Sequence, residues 1–160
     1  MLQNVEEIIE KYSDMVIRIA YQNCFYKSDS EDIAQEAFLK LFRNIQELGN
    51  EEHLKAWLIR VTINLCKDYN KNSWYKKVEA IDEECSAYYF DPEEIGMLKE
   101  MSKLKPVYRN IIHLYYYEGY KINEISQMLG MNENTVSSNL TRARKALKEF
   151  LEDGGEIYVK

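Results

Sequence analysis

Three cations stand within four positions near the C-terminal end of the chain: Arg142, Arg144 and Lys145. At helical spacing, residues 135–147 separate into two sides. The apolar side is Val136, Leu140, Ala143 and Leu147, and the other side carries Ser137, Ser138, Thr141, Arg142 and Lys145. Short side chains allow close approach, and cationic groups suit a surface of phosphates or guanine edges. The pattern is typical of a helix that reads the DNA major groove, although a solvated helix face would explain it as well.

A second basic stripe lies in the middle of the chain. A helix is predicted to start near Leu54, and spacings of four, three and four residues place one Asn and three cations along one side of it. These residues are Arg60, Asn64, Lys67 and Lys71, and the predicted inward side carries Leu58, Val61, Leu65 and Tyr69. Nucleic-acid contact and simple solvation are again both compatible with the pattern.

The composition predicts an all-α protein. The 160 residues include six glycines and two prolines, and long stretches carry apolar residues at spacings of three and four with little strict alternation. No apolar run approaches the roughly 18 residues of a membrane span, and the first residues lack the pattern of a secretory signal. We therefore expect a cytoplasmic protein without membrane insertion.

Residues that could bind a metal or catalyse a reaction are few and scattered. The three cysteines, Cys24, Cys66 and Cys85, are far apart and form no CxxC pair, so neither a zinc site nor a disulfide framework is predicted. No Ser/His/Asp arrangement and no phosphate-binding loop appears. The chain is therefore predicted not to be an enzyme and to need no metal or cofactor.

Charge is strongly segregated along the chain. The net charge is −6, yet residues 53–78 contain six Lys or Arg against one Asp. Residues 79–94 contain seven acids and no Lys or Arg. A basic helix followed by an acidic, weakly periodic segment indicates the end of a domain and the start of a linker. The prediction is two helical domains, at residues 1–78 and 92–150, joined by an acidic linker at 79–91 and followed by a tail at 151–160.

Two further helices are predicted in the first domain. The first is capped by Asn4, carries an apolar stripe from Val5 to Ile19 and ends near residues 21–24. The second is capped by Ser28 and has acids in its first turn. Both precede the basic helix in the middle of the chain.

The second domain is predicted to contain a helix-turn-helix. Residues 91–94, Asp-Pro-Glu-Glu, form a helix start, and a further helix stops at Gly119. A short helix at residues 122–129 and a turn at 130–132 lead to the basic helix, which Asn132 caps. Two short helices joined by a three-residue turn, the second one basic, have the layout of a helix-turn-helix, and a simple αα-hairpin is the alternative.

Three stretches together carry a family resemblance. They are SEDIAQEAFLKLFRNI at residues 30–45, LKAWLIRVTINLCKDYNK at residues 54–71, and YRNIIHLYYYEGYKINEISQMLGMNENTVSSNLTRARKAL at residues 108–147. The first resembles the region 2 helix, the second the promoter-melting helix and the third region 4 of the extracytoplasmic-function (ECF) type of bacterial RNA polymerase sigma factor. Their order, with one short linker, makes the resemblance specific, whereas many transcription regulators share a segment like the third.

The resemblance implies a role for each polar face. The region 2 helix would dock on the clamp of the polymerase, and the basic middle helix would meet the −10 promoter strand. A loop at residues 46–53 would hold a flipped base, and the C-terminal basic helix would face the −35 duplex. The implied residues are Asp32, Gln35 and Glu36 for the clamp, Arg60, Asn64, Lys67, Lys71 and His53 for the −10 strand, and Asn134, Thr135, Ser137, Ser138, Thr141, Arg142 and Lys145 for the −35 duplex.

The function implied by the resemblance is that of a sigma factor. Such a factor binds core RNA polymerase at its clamp and flap and directs initiation at promoter DNA, and many members also have an anti-sigma factor as a partner. The alternative hypothesis is a helix-turn-helix regulator, or an antagonist that binds polymerase without supporting initiation.

Two departures from the family pattern affect the second domain. The family usually has Lys or Arg at the positions of Ser137 and Asn139, and each lost phosphate contact flattens the salt dependence of binding by about 0.9 in log-log slope. We therefore expect weak duplex binding by this domain alone, which keeps the alternative open. Lys121 stands where a capping Ser is usual, and because a lysine side chain cannot accept the orphan N–H bonds, a frayed helix start is expected.

Overall fold

A computed structural model describes residues 5–72 and 90–154, with the side chains of residues 5–71 and 90–149. The described residues form helices and turns and contain no strand, which confirms the all-α prediction. The chain divides into two compact units, Met1–Tyr89 and Phe90–Lys160. Most of the predicted acidic linker lies outside the described residues, so its bounds stay a prediction.

Among its described residues, the first unit contains three helices, α1 (Val5–Cys24), α2 (Lys27–Asn44) and α3 (Glu51–Asn72), with a 3₁₀ turn at Ile45–Glu47 after α2. α1 packs against both α2 and α3, which also contact each other. The buried side chains of this unit include Ile8, Val16, Ile19, Ala37, Leu41, Leu58 and Ile63. α1 ends where predicted, but its apolar stripe begins at Ile8, since Val5 is exposed, and Asn4 lies outside the described residues.

The turn between α1 and α2 is shorter than predicted. Phe25 has φ 62°, a left-handed conformation that is uncommon for a bulky residue, and its N–H donates to the Tyr21 carbonyl (2.9 Å). Tyr26 is extended, and α2 begins at Lys27 without a side-chain cap. The prediction of a Ser28 cap is therefore wrong, because Ser28 already lies in the first helical turn.

The buried side of α3 is rotated relative to the prediction. Leu54 and Leu58 are buried as expected, but Val61 and Leu65 are only half-buried. The residues buried further along the helix are Ile59, Thr62, Ile63 and Cys66. Thr62 is tolerated there because its hydroxyl donates to the Leu58 carbonyl (2.7 Å). The rotation leaves the basic stripe on the exposed side of the helix.

Between residues 90 and 154, the second unit contains four α-helices: α4 (Pro92–Met101), α5 (Pro106–Ile112), α6 (Ile122–Leu129) and α7 (Glu133–Gly154). α5 continues into a wider, π-helical turn at His113–Tyr117, which we call the π turn. As predicted, the Asp91 carboxylate caps α4 by accepting the Glu94 N–H (2.9 Å), and Gly119 follows the π turn with φ 75°. α7 extends into the residues predicted as a tail.

α7 supplies the central buried stripe of the second unit. It packs against α4, α5 and α6. Val136, Leu140, Ala143 and Leu147 are at most 2% exposed, which confirms the predicted stripe, and the other elements contribute Ile111, Leu114 and Ile125. The orientation of α7 about its own axis is therefore set by apolar packing on one side.

The turn between α6 and α7 depends on Gly130, whose φ is 66°. A Cβ there would meet no atom within 4 Å, so backbone strain is the expected cost of a substitution. Gly130→Ala is expected to lower the free energy of unfolding by about 1–2 kcal/mol, and Gly130→Asn by less, since Asn tolerates this conformation better. The control is Gly49→Ala, because Gly49 also has open space but no positive φ. Urea unfolding followed by circular dichroism measures all three, and equal losses in the two alanine variants would contradict the strain argument.

Candidate nucleic-acid and polymerase interfaces

Hydrogen bonds fix the turn that joins α6 to α7. The Met131 N–H donates to the Ser126 carbonyl (3.1 Å), and the Ser126 hydroxyl donates to the Met131 carbonyl (2.6 Å). The Asn132 side chain caps α7 by accepting the Thr135 N–H (2.7 Å), as predicted. Two helices joined by this short, closed turn form a helix-turn-helix, with α7 in the position of the recognition helix.

α7 presents a polar face opposite its buried stripe. All seven residues predicted to face DNA are exposed: Asn134, Thr135, Ser137, Ser138, Thr141, Arg142 and Lys145. Apart from the two cations their side chains are short, which leaves room for a duplex close to the helix backbone. The Thr141 hydroxyl donates to the Ser137 carbonyl (3.1 Å), so its oxygen lone pairs remain available as acceptors.

The start of α6 is closed rather than frayed. The Glu124 carboxylate accepts the N–H of Lys121 (2.9 Å), and the Lys121 carbonyl accepts the N–H of Ile125 (2.9 Å). Although a lysine side chain accepts no hydrogen bond, the glutamate three residues later supplies one half of a capping box. The expectation of a frayed start is therefore wrong, because the Glu124 side chain in the first turn of α6 binds the backbone N–H of the cap residue, Lys121.

α3 carries the second predicted nucleic-acid face, which we call the α3 stripe. Arg60, Asn64, Lys67 and Lys71 are all exposed along one side of an unbroken helix. His53 is exposed too, but it lies in the first turn of α3, where the Asn50 side chain accepts its N–H (2.8 Å). The prediction of a loop at residues 46–53 is wrong, since a 3₁₀ turn and the start of α3, capped by Asn50, occupy most of it.

The helical placement puts His53 in line with the α3 stripe. His53 and Arg60 are seven residues apart, about two turns, and therefore point to the same side of the helix. From His53 to Lys71 the stripe spans about 27 Å. A face of this length, with three cations and one imidazole, suits a negatively charged strand of several nucleotides.

α2 presents a third, acidic face. Asp32 and Gln35 are exposed and Glu36 is half-buried, and all three lie away from the buried side of α2. Leu39 lies seven residues after Asp32 on the same side and is 50% exposed. It is not among the residues predicted from the sequence, although its position off the apolar stripe of α2 was a usable signal. We call these four residues the α2 face.

Two family models match the chain. Residues 8–75 match the model for sigma-70 region 2, and residues 96–147 match the model for sigma-70 region 4. The two matches cover most of the chain, in the order expected from the sequence. The chain belongs to the sigma-70 family. The α2 face and the α3 stripe lie in region 2 of this sigma factor, and the polar face of α7 lies in region 4.

This sigma factor is similar to named ECF sigma factors. It is 29% identical over 157 residues to the ECF RNA polymerase sigma factor SigE of Mycolicibacterium smegmatis, a match that covers 91% of this chain and 61% of SigE. It is 28% identical over 165 residues to the ECF RNA polymerase sigma factor SigW of Bacillus subtilis, covering 92% of this chain and 88% of SigW. The chain therefore spans most of SigW but less than two thirds of SigE.

The fold is also found in a solved sigma-factor structure. The sigma factor RpoE from Bartonella quintana, crystallised with the anti-sigma factor NepR, matches with a TM-score of 0.73 at 20% sequence identity. The match covers 93% of this chain and 97% of that one. At this level of identity the likeness concerns the fold.

As a sigma factor of the ECF type, the protein is a transcription initiation factor that binds core RNA polymerase and promoter DNA. Among the described helices, none combines the length and the hydropathy of a membrane span. In the same part of the chain, no three His, Cys, Asp or Glu side chains are grouped to hold a metal ion.

Proposed function

We propose that three faces of this sigma factor have separate roles in transcription initiation. The α2 face binds the clamp of core RNA polymerase, the α3 stripe takes the −10 strand, and the polar face of α7 contacts the −35 duplex. One observation supports this division above all: each face is mostly polar and exposed, backed by a buried stripe, and located in the matching sigma region. The factor acts in the cytoplasm and has no catalytic site of its own.

The α3 stripe suits a single strand that has left its duplex. Arg60, Lys67 and Lys71 attract successive phosphates along the helix. Asn64 offers both a donor and an acceptor to a base edge, and His53 can stack on an unpaired base. A strand bound in this way is withheld from its complement, which favours promoter melting.

The polar face of α7 contributes an additional contact rather than an independent anchor. It holds two cations, Arg142 and Lys145, and therefore few phosphate partners. When the first unit is bound at the −10 element, the second unit meets the −35 duplex at a high effective concentration, so a weak contact is sufficient. The polymerase flap is its proposed protein partner.

The α2 face combines carboxylate, amide and apolar groups, which suits a protein partner with basic and apolar groups. An anti-sigma factor is a further proposed partner, since RpoE was crystallised with one. Such a protein would compete with polymerase if it covered the α2 face.

Run-off transcription tests the proposed function. Purified core polymerase transcribes fragmented host DNA with and without the protein, and the 5′ ends are mapped. New start sites that share two spaced upstream elements are the expected result. Binding to core polymerase without new starts would favour an antagonist, and absence of binding would favour a stand-alone helix-turn-helix regulator.

Arg142→Ala is expected to reduce use of a promoter through its upstream element while leaving core binding unchanged. Losing one phosphate contact should flatten the log-log salt dependence of promoter binding by about 0.9. Lys103→Ala is the control, because Lys103 is an exposed cation of the same unit that pairs with Glu100 (2.8 Å), far from α7 in sequence. Filter binding of the holoenzyme at several salt concentrations measures both variants, and equal slopes would remove Arg142 from the DNA face.

A further inference from the structure

Arg144 has different surroundings from Arg142 and Lys145, the neighbouring cations of α7. Its guanidinium carbon lies 5.4 Å from the ring centroid of Tyr115 and 5.4 Å from that of Tyr116. Its Nε also donates to the Tyr116 hydroxyl. The two rings are edge to face, with centroids 5.0 Å apart and planes at 77°. Aromatic faces and a phenolic oxygen thus hold the guanidinium on several sides.

The direction of Arg144 places it at one edge of the polar face of α7, seven residues after Ser137. Residues two apart on an α-helix point about 200° away from each other around the helix axis, so Arg144 and Arg142 lie at opposite edges of the polar face. Lys145, three residues after Arg142, points much closer to it. Arg144 therefore lies on the flank of α7, between the buried stripe and the polar face.

The tyrosines that hold Arg144 belong to the π turn, which precedes the helix-turn-helix. Glu118 donates its N–H to the His113 carbonyl (3.0 Å), and Tyr120 donates to the Leu114 carbonyl (2.9 Å), which closes this wider turn. Single π-helical turns inside helices often occur at functional sites. The contact joins positions 28 residues apart and connects the recognition helix to the element on the far side of α6 in sequence.

We propose that Arg144 is a positioning residue for the −35 contact. It ties α7 to the π turn, stabilises the rotation of α7 that the buried stripe sets, and thereby helps to aim Arg142 and Lys145 at the duplex without touching DNA itself. The inference rests on the proposed function of the α7 face. It also separates three neighbouring cations into two that contact phosphate and one that orients them.

A double-mutant cycle tests this role with holoenzyme and the promoter fragment recovered by run-off transcription. Arg144→Ala is expected to weaken promoter binding about fivefold, and the paired change Tyr115→Leu with Tyr116→Leu should weaken it by a similar factor. Combining all three changes should add little, because each removes the same contact. Arg144→Lys, which keeps the cation near the rings, should restore part of the binding. Arg142→Ala is the matched control, and its effect should add to that of the tyrosine changes.

Additive losses for Arg144→Ala and the tyrosine changes would overturn the proposal and make Arg144 a DNA contact. Should Arg144→Ala lose helicity, the cycle uses Arg144→Lys and Tyr116→Phe, which both remove the bond from Nε to the hydroxyl, and additivity would again overturn it. If Arg142→Ala weakens promoter binding but Arg144→Ala does not, only the positioning role of Arg144 is rejected. Equal binding of wild type and Arg142→Ala rejects the −35 assignment itself.

Discussion

Replacing Asp32 and Gln35 together with alanine is expected to abolish detectable binding of this sigma factor to core RNA polymerase while its helicity stays unchanged. Both side chains are exposed, so their removal should leave the core of the first unit intact. Truncating a charged or hydrogen-bonded group at an interface costs roughly 2–5 kcal/mol, so two losses together amount to about a thousandfold or more in affinity. Fluorescence anisotropy of labelled protein titrated with core polymerase measures the change.

The control for this experiment is a pair of acids on another helix of the same unit. Glu10→Ala with Asp14→Ala removes two exposed carboxylates from α1, spaced one turn apart, without changing the α2 face. Its affinity for core polymerase should remain within about twofold of wild type, the effect expected of an ordinary surface change. Unchanged binding of the Asp32 and Gln35 variant would remove the α2 face as the clamp contact. If binding is lost as expected, Leu39→Ala measured in the same way tells whether the exposed leucine also takes part in the contact.

The buried stripe of α7 and the turn before it were predictable because their local signals are unambiguous. The stripe that ends at Leu147 follows the helical period without interruption, and every member is buried. Gly130 has the positive φ that ends α6, and Asn132 accepts the N–H that starts α7. Each of these features depends on residues close in sequence, so a reading of the sequence captures it.

The errors in the first unit arise from tertiary packing. Phe25 ends α1 in the left-handed conformation, and the chain turns so tightly there that α2 starts before Ser28. Propensity alone does not predict a bulky residue in this conformation. On α3, the packing of α1 and α2 buries Thr62 and Cys66 in preference to the larger Val61 and Leu65. A sequence pattern predicts burial from hydrophobicity, whereas in the folded protein burial depends on which side of the helix its neighbours cover.

In the candidate sites too, features that depend on local spacing were predictable from the sequence, and features that depend on tertiary contacts were not. Exposure of the basic stripe on α3 follows from its spacing, and the sequence predicted it. The distinct role proposed for Arg144 depends on Tyr115 and Tyr116, which are close to it only after folding. From the sequence, Arg142 and Arg144 are two similar cations in one basic segment.

Replacing Arg60 and Lys67 with alanine is expected to impair promoter opening by roughly tenfold or more. Both cations are exposed on the α3 stripe, seven residues apart, so they would hold one strand at two points about two turns of helix from each other. Their loss should also flatten the log-log salt dependence of opening by about 1.4, at 0.7 for each single-strand phosphate contact. Permanganate reactivity of unpaired thymines at the start site measures opening directly.

The control exchanges the two cations, with Arg60→Lys and Lys67→Arg, and keeps the charge of the α3 stripe. If phosphate attraction is the main contribution, this variant retains most of the opening and the full salt dependence. If it fails as badly as the alanine pair, the planar guanidinium of Arg60 contributes through its geometry, by hydrogen bonding or stacking on a base. Normal permanganate reactivity in the alanine pair would instead make the α3 stripe a solvated surface. The promoter would then open without these two cations, and they would have no role in melting.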